Sequence, residues 1–119
     1  MLVAIALPAA VALWQPLRVV DGDTIDYGYW RWRLAGFDAP EIRQAHCPEE
    51  RALGQWAAER LRSLVETRTP RLAYLGDPDK YRRPLGRLTF SGEDVAAIAI
   101  REGWGHAYDG HGPHSDWCP

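Results

Sequence analysis

Three short segments bring together side chains that handle cations and phosphates. Asp21-Gly22-Asp23-Thr24 sets two carboxylates either side of a glycine at a strand edge, so that both acids can face one point. Arg33 precedes Asp38-Ala39-Pro40-Glu41, which carries a second acidic pair. Asp79-Lys80-Tyr81-Arg82-Arg83-Pro84-Leu85 is a basic loop with one aromatic ring. Taken singly, each has a plainer reading: a hairpin turn, a strand arginine facing water, a solvated loop. Taken together they hold the parts that phosphodiester hydrolysis needs. Carboxylate oxygens suit a hard divalent cation. Guanidinium groups fork onto phosphate and offset the charge that grows in the transition state. A further carboxylate beside the cation can orient or deprotonate the attacking water.

The elements that must position these segments follow from pattern. Leu17 to Val20 reads as a short strand, Asp21-Gly22-Asp23 as a turn, and Thr24 to Tyr27 as a second strand. Gly28 permits the reversal into a third. There Trp30, Trp32 and Leu34 alternate with Arg31 and Arg33, and period two puts the aromatics on one face and both arginines on the other. Pro40 ends that run, because it cannot donate to a ladder. Pro48 to Glu66 predicts a helix. Pro48 suits its first position, Glu49 and Glu50 suit the positive end of its dipole, and Leu53, Trp56, Ala57, Leu61, Leu64 and Val65 make one buried stripe. Arg71 to Leu75 and Leu85 to Phe90 predict paired strands across the polar loop Gly76 to Pro84. Asp94 to Glu102 predicts a second helix closed by Gly103. The remainder, rich in Gly, His and Pro, has no periodicity. Five strands with an interposed helix are compatible with an OB-type barrel among the small α+β folds.

Composition bounds the rest. The chain has 119 residues, enough for one domain, with 46% hydrophobic and 25% charged residues, which excludes wholesale disorder. Net charge is −2, so bulk charge does not advertise a polyanion partner. Residues 51–87 are nonetheless locally basic and the tail from 88 onward is acidic, so a polyanion could dock on one face. Cys47 and Cys118 form no zinc-like spacing. They read either as one disulfide in an exported protein or as two unrelated thiols. Met1 to Trp14 is uncharged and apolar, too short to span a bilayer as a helix, with Ala10-Val11-Ala12 as a small-x-small cleavage site. We set residues 1–12 apart as a signal or anchor remnant and take 13–119 as the domain, secreted or periplasmic and monomeric, without a stable membrane partner unless the leader stays uncleaved.

At this point the sequence resembles a known family. Val19-Val20-Asp21-Gly22-Asp23-Thr24-Ile25, then Trp32-Arg33-Leu34-Ala35-Gly36-Phe37-Asp38-Ala39-Pro40-Glu41, then Asp79-Lys80-Tyr81-Arg82-Arg83 look like the three signature blocks of staphylococcal-nuclease-like (thermonuclease) proteins. The resemblance covers roughly residues 17–108, and three blocks in order are more specific than any one. It implies an α+β, mainly β fold, an OB-fold five-stranded barrel with two packed helices, and Ca2+-dependent cleavage of DNA and RNA. It implies one Ca2+ ion held by Asp23, Asp38 and the backbone carbonyl of Ala39, with Asp21 in the outer shell. It implies Glu41 at the attacking water, Arg33 and Arg83 on the scissile phosphate, and Tyr81, Lys80 and Arg82 as substrate contacts. Three departures stand out. Ala39 replaces a common Thr, Arg82 stands where the family usually has Gly, and no third helix follows the second; a Cys47–Cys118 bridge would offset that loss.

The remaining features point to packing. The spacing of Trp30, Trp32, Trp56 and Trp104 predicts core positions rather than base stacking. His111 and His114, irregularly spaced, predict a solvated mobile tail rather than metal ligands. The alternative to the enzyme is a catalytically silent barrel of the same type that binds nucleic acid or a protein partner. Silent relatives lose the acids or arginines; Asp23, Arg33, Asp38, Glu41 and Arg83 are all present.

Overall fold

A computed structural model describes residues 16–76, 78–79 and 81–119, and the backbone of 10–12. The architecture is α+β, mainly β. The five principal strands are β2 (Arg18–Asp21), β3 (Thr24–Tyr27), β4 (Trp30–Leu34), β6 (Pro70–Tyr74) and β7 (Leu85–Phe90). Short β1 (Ala10–Ala12) and β8 (Glu93–Asp94) extend the sheet, in the order β1-β6-β7-β4-β3-β2 with β8 on β7. A separate pair joins β5 (Phe37–Asp38) to β9 (His106–Ala107). The helices are α1 (Pro48–Thr67) and α2 (Val95–Glu102). Ala10–Ala12, part of the leader-like stretch, pair antiparallel with β6; residues 1–9 lie outside the described set. Among the described residues, no helix is long and apolar enough to cross a membrane.

Among the described residues, all ladders are antiparallel except one. β4 runs parallel to β7, with Arg33 opposite Leu85 and Leu34 opposite Gly86. Arg33 N donates to Pro84 O at 2.9 Å and Ala35 N to Gly86 O at 2.8 Å. This pairing carries the end of the basic loop to the side of Arg33. In β2 the register to β3 shifts between Val19 and Asp21. Such a bulge bends a strand and re-aims the next side chain, here Asp21.

The core gathers Ile25, Leu34, Phe37, Leu61, Leu64, Leu88, Phe90, Val95, Ile98 and Trp104, all essentially inaccessible. Burying a side chain of this class stabilises by about 1.5–3 kcal/mol. A bidentate pair from Arg60 to Glu102, at 2.7 and 2.8 Å, ties α1 to α2 and holds the Glu102 carboxyl down to about 2. Asp94 caps α2 by accepting from Ala96 N at 2.9 Å, and Gly103 closes it in the left-handed region.

α1 ends one residue beyond its predicted limit, and its buried face differs from the predicted stripe. Glu50, Gly54, Ala57, Ala58, Leu61 and Leu64 are buried, while Trp56 is exposed. The reason is close approach. A Cβ on Gly54 would lie 2.7 Å from Glu41 O and 2.9 Å from Pro40 O. A Cβ on Gly22 would meet those of Ala57 and Ala39 at 2.8 and 2.9 Å. Small residues therefore let α1 run directly beneath both acidic segments, and the large Trp56 turns outward. Trp30 is likewise exposed, Trp32 is half-buried on Gly86, and Trp104 alone of the four is fully enclosed.

The tail is not the free segment its composition predicts. Cys118 is disulfide-bonded to Cys47, the N-cap residue of α1. The bridge closes a separation of 71 residues. A loop of that size contributes about 4 kcal/mol in the chain-entropy model.

Gly54→Ala should test the close approach. It should destabilise the fold by about 1–3 kcal/mol, the usual cost of overpacking, read as a lowered urea midpoint at unchanged slope.

Candidate active site

Two of the acids, Asp23 and Asp38, and one arginine meet in the space between the Asp21–Asp23 turn, β4 and β5. Arg33 is buried, with its guanidinium between two carboxylates: Nη1 lies 3.5 Å from Asp23 Oδ2 and Nη2 3.5 Å from Asp38 Oδ1. Nη1 also donates to Leu34 O at 2.7 Å. Its strand neighbour Arg31, on the same face by parity, is exposed and paired with Asp26 at 2.8 Å. The two arginines of β4 thus share a face but not an environment.

Each acid is held by a different device. Asp23 Oδ2 accepts from Ala39 N at 2.8 Å and Oδ1 from the Thr24 hydroxyl at 3.0 Å. These bonds lock the first acidic segment to the second. Asp38 Oδ1 lies 3.1 Å from His114 Nδ1, and Oδ2 accepts from Ser115 N at 2.9 Å. Asp21 sits at the edge of the cluster. Burial and the charge of Asp23 raise its pKa against the pull of Arg31, Arg43 and Arg83.

Glu41 is pushed up to about 7, first by burial and then by the charges of Asp23, Asp21, Asp38 and Glu50. The backbone beneath it is fixed by Glu50, whose Oε2 accepts from Glu41 N at 3.0 Å. Glu50 Oε1 accepts from His46 N at 2.8 Å and faces His46 Nδ1 at 3.1 Å. Burial alone would raise Glu50, but the hydrogen bonds from His46 and Glu41 hold it below the usual range. Sequence analysis placed Glu50 only as a complement to the helix dipole. Its position three residues after the N-cap was the available signal, because a carboxylate there commonly reaches back to preceding amides.

The basic loop is organised by Asp79, whose role was also missed. Its Oδ1 accepts from Tyr81 N at 3.0 Å and Arg83 N at 2.8 Å; its Oδ2 accepts from Arg83 Nε at 2.7 Å. Arg82 N returns to Asp79 O at 2.9 Å. This tight return puts Arg82 at φ 64°, the left-handed region. That region costs a non-glycine residue about 1–2 kcal/mol. Arg83 is half-buried and stacks over the Tyr81 ring at 5.4 Å. Lys80 lies outside the described residues. Trp30, Trp32, Tyr74, Pro78, Arg82 and Pro84 line an open cavity of about 490 Å³ beside this loop.

Asp23, Arg33 and Asp38 are thus brought together, with Glu41 and Asp21 near enough to act on one another electrostatically. Arg83 reaches the group through its pull on Asp21. No group of three or more His, Cys, Asp or Glu side chains stands arranged to hold a metal among the described residues.

The raised Glu41 pKa has a sign. Below the unfolded value of 4.5 the carboxyl is neutral in both states; as pH rises through about 7 the folded state must accept its charge and loses stability. Glu41→Gln should therefore be more stable than wild type above about pH 8 and equal to it below about pH 4, seen in Tm against pH.

Over residues 31–116 the chain matches the model of one family, the staphylococcal nuclease homologues. The match spans Arg33, Asp38, Glu41 and the basic loop, and begins after the Asp21–Asp23 turn. No curated protein matches the chain. With most of its length covered and these residues gathered at one place, the protein belongs to the staphylococcal nuclease homologue family.

Proposed function

We propose that the protein is a Ca2+-dependent nuclease that hydrolyses phosphodiester links in DNA and RNA. The observation that carries this reading is the buried convergence of Asp23, Arg33 and Asp38 beside a Glu41 carboxyl raised to about 7. A base poised near the working pH is suited to take a proton from water. Burial of several carboxylates around one guanidinium is costly unless a cation and an anion complete the site.

The donors suit calcium in chemistry. They are hard oxygens, and the charges that raise Glu41 would be relieved by a cation. Asp23, Asp38 and the carbonyl of Ala39 would hold one Ca2+ ion, with Asp21 in the outer shell. Calcium takes six to eight oxygens, several of them commonly water, so few protein ligands suffice. Bound there, the ion would supply a Lewis acid for the phosphoryl oxygen. Arg33 and Arg83 grip the scissile phosphate and balance its growing charge. Asp79 presets Arg83 by fixing both its backbone and its Nε. Glu41 orients or deprotonates the water. Tyr81, Lys80 and Arg82 contact the strand, and the exposed ring of Trp30 offers a flat face to an unstacked base. The Cys47–Cys118 bridge supports an oxidising compartment, secreted or periplasmic.

One observation favours a second reading. Asp38 is already hydrogen-bonded at both oxygens, and no metal set stands assembled among the described residues. A silent barrel that binds nucleic acid without cutting it would share these features. Digestion of single-stranded DNA separates the two. Cleavage should require Ca2+ and stop with a chelator. Glu41→Gln and Arg33→Ala should each lower kcat by about 10² or more. Asp23→Ala should chiefly raise the Ca2+ requirement. Full turnover by Arg33→Ala would defeat the site assignment, and strand binding without any cleavage by wild type would establish the silent barrel.

A further inference from the structure

The segment after α2 returns to Asp38 twice. First its backbone pairs with β5, His106 opposite Asp38. Then it loops out and comes back with His114 Nδ1 at 3.1 Å from Oδ1 and Ser115 N at 2.9 Å from Oδ2. Three further contacts moor it. His106 stacks on Trp117 at 3.7 Å, Tyr108 lies against the His114 ring at 4.9 Å, and Cys118 is bonded to the N-cap of α1.

These donors bear on the Arg33–Asp38 distance. A free guanidinium–carboxylate pair closes to a fork with contacts of about 2.7–2.9 Å. Here a single long hydrogen bond, Arg33 Nη2 to Asp38 Oδ1 at 3.5 Å, takes the place of that fork, although both groups are buried. The strap supplies donors to both oxygens of Asp38, so the carboxylate has no need to turn onto Arg33.

We infer that His114 and Ser115, moored by the Cys47–Cys118 bridge, are positioning residues that limit Asp38 to one long contact with Arg33 and keep it from closing into a fork. The acid then stays available to a cation and the arginine to a phosphate. The second half of this inference rests on the proposed role of Asp38 as a Ca2+ ligand; the strap itself does not. Each oxygen of a carboxylate has two lone pairs; Oδ1 meets both His114 and Arg33, while Oδ2 takes one bond, from Ser115 N, and so leaves room for a ligand bond. Partners of this outer kind typically set metal affinity within a factor of about 10–100.

Two measurements on the full oxidised chain test it. Without metal, the Ser115 amide should be protected from hydrogen exchange, and should exchange at least about tenfold faster after the bridge is reduced with a phosphine or in Asp38→Ala. Free exchange of that amide in wild type overturns the strap. With metal, calorimetric titration by Ca2+ should give His114→Ala a Kd about 10–100-fold above wild type. His114→Asn keeps a donor near the Nδ1 position and should restore affinity to within about threefold, which a merely structural role would not do. An unchanged or tighter Kd in His114→Ala, with circular dichroism showing an intact fold, overturns the inference and makes the tail a spectator or a plug. If wild type binds no Ca2+, the calcium reading falls and the amide exchange alone decides the strap.

Discussion

Carboxylates taken out of water repel one another, and every element around this site answers that repulsion. Asp21, Asp23, Asp38, Glu41 and Glu50 share one region with the buried Arg33 guanidinium. One cation cannot balance them all. Backbone amides make up the difference: Ala39 N serves Asp23, Ser115 N serves Asp38, and Glu41 N and His46 N serve Glu50. Glu41 and Asp21 have no such donor to their carboxylates among the described residues, and both are driven up, Glu41 to about 7.

The helix α1 is the surface against which the acidic segments are pressed. Gly22 lets the first turn touch it, Gly54 lets the Pro40–Glu41 backbone touch it, and Glu50 reaches from its first turn to tether Glu41. Its N-cap residue is also one end of the disulfide. The helix therefore acts as a common reference for parts of the site that come from distant stretches of chain.

Local signals were legible in the sequence, and non-local ones were not. The five principal strands, both helices and the Gly103 cap follow from period and end chemistry, because those are properties of neighbouring residues, whereas Asp94 reads as the first helical residue and proves to be the cap. The three segments that carry the chemistry were visible by residue type. What period could not give was burial set by distant partners. Arg31 and Arg33 have equal parity, yet only Arg33 meets acids delivered by other segments. Trp56 fits an apolar stripe, but the close approach at Gly54 rotates it into solvent. The short strands β5 and β9 exist only because the tail returns, and a tail rich in Gly, His and Pro gives no periodic hint of that return. Asp79 and Glu50 look like ordinary surface acids until the backbone amides they serve are placed.

The parallel ladder between β4 and β7 has a kinetic consequence. β4 and β7 are separated in the chain by the whole of α1 and by β6, so their meeting must wait for a long loop to close. Contacts of such high sequence separation form late and slowly. Until they form, the acids and Arg33 lack the arginine loop that Pro84 brings alongside. A partly folded chain would thus lack the assembled cluster until these two strands dock.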